Sequence, residues 1–259
     1  MGPAGLKRIA TVAANTFRET VRERVLYNLV FFAILMILSA LLMRELSVRQ
    51  DEKIVRDLGL AAMEFFGTLI AIFMGVTLVG KEIERRSLYP LLAKPLSRGE
   101  LLLGKFAGLA YTLLVNVGVM AVVMALTLLA TGRGVDLGLL KAVYAIYLGL
   151  LLIVAIALLF STTTSTALAA VCTVSVVVAG RFSDVVRGMT EVLPEAPTWL
   201  IRLLYYAIPN FRNFDFKDRA AYADAIPWGE LAGVTLYGAL YIAAALLVAL
   251  WAFRGKDFQ

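Results

Sequence analysis

Long apolar runs separated by short charged ones set the pattern of this chain. Residues 25–43 are free of charge, 58–80 carry one acid, Glu64, and 106–131 are again free of charge. A hydrocarbon core about 30 Å thick takes roughly 20 apolar residues of helix, so each run predicts one crossing. The stretch 142–180 holds no charged residue. As one helix it would be about 58 Å long. It must double back, and "STTTST" (Ser161–Thr166) is the natural place, because hydroxyl side chains satisfy backbone groups released at a tight helical turn. The pattern places six crossing helices at 25–43, 58–80, 101–131, 142–161, 165–180 and 229–253.

Two stretches follow other rhythms. In residues 5–24, Leu6, Ile9, Ala10, Ala13, Phe17 and Val21 recur at three- and four-residue steps, with Arg18, Glu19, Arg22 and Glu23 opposite them. That predicts an amphipathic helix, lying on lipid headgroups or packed on the rest of the chain; the two are compatible. The first apolar run is too long for a signal peptide and no small-residue cleavage site follows it, so it reads as a retained helix. Residues 181–228 hold four of the seven prolines. Within them "TWLIRLLYYAI" is apolar but too short to cross, which predicts re-entrant or interfacial helices. The following "NFRNFDFKDRAAYADAIPW" is expected to be solvated. No internal repeat and no second soluble domain are visible.

Composition supports the membrane reading. The chain of 259 residues is 61% hydrophobic and 17% charged, against about half and a quarter in soluble domains. The net charge of +6 falls largely in loops and points to the positive-inside rule rather than to nucleic acid. Basic residues cluster before the first crossing, between the second and third, and in the tail, which predicts both termini on the cytoplasmic side of the cell (inner) membrane. The far side also carries arginines and lysines, matched there by acids. With no histidine and one cysteine, Cys172, the chain has no Ser-His-Asp or Cys-His pair and no His-containing metal site. No catalytic residue and no metal-ligand set is read from it.

The segment "GVTLVGKEIERRSLYPLLAKPLSRGELLLGK" (75–105) twice spells Gly, four residues, Gly-Lys. A phosphate-binding loop needs Ser or Thr after the lysine and free backbone amides at a strand-to-helix junction. Here Glu82 and Phe106 follow the lysines, and the first match lies within a crossing helix. Neither match is a nucleotide site. What remains is a charged loop, 82–95. Glu82, Glu84, Arg85 and Arg86 open it; Ser87 caps a short helix with Pro90 in its first turn; Pro95 ends it. Leu88, Tyr89, Leu91 and Leu92 project and need a protein groove or a bilayer surface. Ser97 and Glu100 then form a capping box for the next helix.

The order amphipathic helix, span, span, "E…R…LYPLLAKPLSRGELLLGK", further spans resembles the permease subunit of type-two (ABC-2) ATP-binding-cassette transporters. The matching residues are Glu82, Glu84, Arg85, Leu91, Leu92, Pro95, Ser97, Arg98 and Lys105, and "YYAIPNFRNFDFKD" resembles a stretch of several bacterial members. The resemblance implies an all-α membrane protein: six transmembrane helices, an N-terminal interfacial helix, a cytoplasmic coupling helix after the second span and short re-entrant helices before the sixth. It implies two permeases, identical or related, in membrane lipid, and two separate ABC ATPase subunits that hold the ATP and Mg, with none in this chain. The coupling helix would sit in a groove on each ATPase, and substrate would be exported or flipped.

Glu64 is the one ionisable residue well inside a predicted span, hence a candidate for the translocation path. It could instead reach outer-side water or pair with a basic residue such as Arg56. Tyr111 and Asn116 could line the same path or bond between helices, the latter being the commoner use. A secondary transporter would place acids in paired repeats, and none is seen. A membrane scaffold or anchor for another complex is the remaining alternative, since the chain lacks the clustered acids or histidines that an intramembrane enzyme would use.

Overall fold

The computed structural model describes residues 3–46, 51–84, 97–130, 132, 134–182, 208–222 and 224–254. The apex of the 82–95 loop and nearly all of "TWLIRLLYYAI" lie outside these. Among the described residues the regular elements are all helical: α1 (Pro3–Val21), α2 (Arg24–Leu46), α3 (Asp51–Glu84), α4 (Arg98–Ala130), α5 (Leu137–Thr163), α6 (Thr166–Arg181), a 3-10 turn (Phe211–Phe214), α7 (Lys217–Ala221) and α8 (Trp228–Arg254). Among the described residues four stretches are long and apolar enough to cross a membrane: Val55–Thr77, Arg98–Ala130, Leu137–Thr163 and Trp228–Phe253. Two shorter apolar helices, Leu29–Ser39 and Thr166–Arg181, accompany them.

Helix α5 is the centre of the bundle. It is apolar on every face, which suits a helix surrounded by others. Of its most apolar stretch 67% is buried, against 22% for α8, which leaves one side of α8 bare. Helices α3 and α5 run in the same direction and approach closely where Gly75 meets Ala157; a Cβ on Gly75 would lie 2.6 Å from that methyl. Small residues let backbones approach where the hydrophobic effect gives no preference between protein and lipid. α2 buries one stripe, Leu26, Ala33 and Ile37, and exposes Tyr27, Phe31, Phe32 and Leu35. Apolar residues on both sides suit a helix with protein on one side and lipid on the other.

The hydroxyl-rich turn folds as its sequence predicts. α5 ends at Thr163 and α6 begins at Thr166. The hydroxyls of Ser161, Thr162 and Thr164 donate back to the carbonyls of Leu158, Leu159 and Phe160 at 2.8–3.0 Å, within the end of α5, while Ser165 at the start of α6 makes no side-chain cap bond. α6 has 16 residues and is the shortest of the long elements. At about 24 Å it stops short of the reach of α3 and α5.

The space above its end is filled by residues 208–221, and here the expectation of a wholly solvated segment is corrected. Phe211, Phe214, Phe216, Ala220 and Ala221 are buried, while Arg212, Asp215, Asp218 and Arg219 are exposed. Phe214 rests on Gly149 and Gly238, and Phe211 fits the surface left open by Gly180. The segment is a wedge with an apolar inner face. Its phenylalanines are spaced for a 3-10 turn and the two-residue link to α7 after it, so a helical or strand period does not reveal them.

The amphipathic helix α1 packs one side on α4. Gly104 accepts Val12 and Gly108 accepts Thr16, where an added Cβ would come within 2.6 Å of each. Phe17 meets Tyr111 edge-on at 4.8 Å. Part of the predicted stripe packs on the chain, while Leu6 and Ala10 are exposed, as are Lys7, Arg8, Arg18 and Arg22. The second Gly…Gly-Lys match is thereby explained: Gly99 and Gly104 are helix-contact residues, facing Leu250 and Val12.

Candidate functional site

At one end of the bundle α3 terminates at Glu84 and α4 begins at Arg98, so this end carries the 82–95 loop. Its described border is tightly capped. The backbone amide of Ser97 donates to Glu100 Oε2 at 2.9 Å, and the amide of Glu100 donates to Ser97 Oγ at 3.2 Å, the reciprocal pair the sequence predicts. Arg98 Nη1 donates to the carbonyl of Phe253 at 2.6 Å, a cation on one of the last carbonyls of α8. Arg8 lies 3.8 Å from Glu100, tying in the start of α1. Glu82 and Glu84 stand on the last turn of α3. Arg85, Arg86, Leu88, Tyr89, Pro90, Leu91, Leu92 and Pro95 lie outside the described residues.

The opposite end is a charged network centred on α3. Glu64 pairs with Arg181, the last residue of α6, at 2.5 Å, and with Lys217 of α7. Arg181 also donates to Thr68 Oγ1 at 3.3 Å, and Lys217 approaches Asp215 at 3.6 Å. Eight residues earlier on α3, the nearly inaccessible Arg56 meets Asp136 at 2.9 Å and donates to the carbonyls of Ala220 at 3.0 Å and Gly134 at 3.3 Å. Lys53 donates to the Tyr222 hydroxyl. Lys141 donates to the carbonyl of Ile226 at 2.6 Å.

Glu64 therefore finds two cations, and Arg56 is not one of them. Arg56 lies eight residues away and faces the 134–136 corner and the wedge. The Glu64 side chain is 17% exposed, between Arg181 at 35% and Lys217 at 20%, so the junction is partly wetted. Burial opposes the charge on Lys217, but its hydrogen bond to Glu64 and the nearby carboxylates outweigh burial and the repulsion of Arg181, and its pKa is raised. The lysine stays charged across the neutral range.

The three residues singled out for a path do not come together. Tyr111 is 53% exposed and stacks on α1. Asn116 is buried in the face of α4, with its amide nitrogen unpartnered among the described residues. Glu64 belongs to the charged junction. Sequence reasoning missed Arg181 and Lys217. Arg181 carried one signal, as the first charge after 39 uncharged positions (142–180). Lys217 carries no such signal.

These features find their counterpart in a comparison with known families. A model described as ABC-2 family transporter protein matches residues 10–258. The chain belongs to the ABC-2 transporter family. A search of curated proteins returned no match. As an ABC-2 permease the chain is a multi-pass membrane protein and the membrane component of an ABC transporter. The matched residues include the loop-side cap, the hydroxyl-rich turn and the wedge, and leave out the first turns of α1.

Proposed function

We propose that this ABC-2 permease crosses the cell (inner) membrane six times, with both termini and the 82–95 loop in the cytoplasm, and that it works as a pair with an identical or related permease. Two separate ABC ATPase subunits bind ATP and Mg and dock on residues 82–95, with Glu82, Glu84, Arg85 and Arg86 meeting polar groups and Leu88, Tyr89, Leu91 and Leu92 filling a groove. ATP-driven closure of the ATPases moves the loop, re-tilts the helices that flank it and exports or flips substrate. ATP supplies the bias through its different affinity for the two states.

The observation that carries this reading is the continuity of α3. One helix of 34 residues ends at the loop and reaches back through the bundle to the charged network. A push at Glu84 is carried by an unbroken hydrogen-bonded rod about 50 Å long. The capping box at Ser97 and Glu100 makes the start of α4 equally firm. Glu64 speaks against an ion-driven secondary transporter, because its carboxylate is already engaged by Arg181 and Lys217.

The test is purification of the full chain from its own membranes with whatever ATPase accompanies it. The expected complex hydrolyses ATP in a vanadate-sensitive manner. Pro90→Asp or Leu91→Asp is expected to leave the permease in the membrane while uncoupling hydrolysis from permease movement. Full coupling in both variants would exclude the loop as the lever.

A further inference from the structure

The wedge and α3 share more than a boundary. Lys53, Arg56 and Glu64 all reach the short segment 217–222: Lys53 to Tyr222, Arg56 to the Ala220 carbonyl, Glu64 to Lys217. At about 100° per residue these three positions fall within about 80° of one another around α3, so they form one stripe. The same arginine holds the 134–136 corner through Asp136 and Gly134.

The wedge meets the other helices differently. Phe211 and Phe214 lie on surfaces opened by Gly149, Gly180 and Gly238, contacts that are apolar and without direction. Polar ties to α8 do exist. Arg219 meets Glu230 at 2.5 Å, but the side chains are 47% and 39% exposed, a class of pair worth little. The Asn210 amide donates to the Tyr237 hydroxyl at 2.8 Å, at the very start of the wedge, where a tie acts as a pivot. Hydrogen-bonded and largely buried ionic contacts resist displacement; phenylalanine on glycine can slide. The division of forces favours α3 over α8 as the wedge's partner in any movement.

We propose that residues 215–222 move with α3 as one body, pivoting near Asn210 and sliding on α8, with Glu64 as the positioning residue that passes motion of the loop-side end to the opposite face of the permease. Arg181 lets the same carboxylate carry the tip of α6. Glu64 thus has a use that needs no contact with substrate: it sets where the wedge stands. This rests on the ATPase reading above, which supplies the push.

The experiment uses the whole transporter complex, with Cys172→Ser and pairs of spin labels on cysteines at the exposed positions Asp57 (α3), Asp218 (wedge) and Leu240 (α8). Distances are measured without nucleotide and after trapping with ATP and vanadate. The 57–218 distance is expected to stay constant. The 57–240 and 218–240 distances are expected to shift together, by on the order of 2–5 Å, the range of helix displacements at moving interfaces. In the double variant Glu64→Gln, Arg56→Gln, the 57–240 shift is expected to persist while 218–240 stops following it. A constant 218–240 distance with a changing 57–218 distance in the unaltered protein overturns the proposal. So does the absence of any change, or a wedge that still follows α3 in the double variant. Failure of the loop reading looks different: no ATPase is bound to the permease at all.

Discussion

At the loop-side end, α1 lies on α4 through Gly104 and Gly108, and a capping box and an arginine on the last carbonyls of α8 finish the helix termini. At the far end, short irregular pieces are held by charges reaching out of α3: Arg56 to Asp136, Glu64 to Arg181 and Lys217. The first kind of fastening fixes helix against helix at the described border of the 82–95 loop. The second satisfies itself within the chain. Under the proposed function the first end would meet the ATPase, and the continuous α3 would join it to the second.

The comparison can be broken most forcefully at the loop-side end. Gly108→Leu would force a side chain where a single Cβ already meets the Ala13 carbonyl at 2.7 Å. The expected cost is about 3 kcal/mol, with α1 released from α4. Thermal unfolding in detergent and protease sensitivity near Arg22 would register it. At the far end, Arg56→Ala leaves Asp136 without its cation; because that carboxylate is about a third exposed, about 2–3 kcal/mol is expected, read in the same melting assay. Glu64→Gln leaves Arg181 facing Lys217, for about 1–2 kcal/mol, and Glu64→Asp should recover part of it.

Smaller effects sharpen the contrast. Ser97→Ala removes one half of the capping box, for about 1 kcal/mol, and should not alter labelling of the wedge. Least of all is the pH response of the Lys217 pair. A lysine whose folded pKa is raised contributes stability fully below its ordinary value of 10.5 and loses it only as pH rises through the folded value. Melting temperature should therefore show no step from Lys217 between about pH 6 and 9.

Local chemistry was legible in the sequence and distant pairing was not. The capping box could be read because Ser97 and Glu100 are three residues apart, and the reach of one turn is fixed by helix geometry. The turn at Ser161–Thr166 could be read because an uncharged stretch of that length cannot be one crossing helix. The pairing of Glu64 with Arg181 and Lys217 could not, because it depends on where α6 stops and on the wedge entering the space above it. The burial of Phe211, Phe214 and Phe216 was hidden by the polar residues among them. The two glycine-lysine matches show the converse: a phosphate-loop spelling whose placed glycines, Gly75, Gly99 and Gly104, serve helix contact.

The most direct measurement is sided labelling of Leu88→Cys and Asp218→Cys, each with Cys172→Ser, in oriented membrane vesicles carrying the intact complex. With a maleimide that does not cross the membrane, position 218 should react in right-side-out vesicles and position 88 only in inverted ones, where bound ATPase should slow it. Reaction of position 88 from the outside, or of both positions from the same side, would contradict a lever with one end on the ATPase and the other on the opposite face.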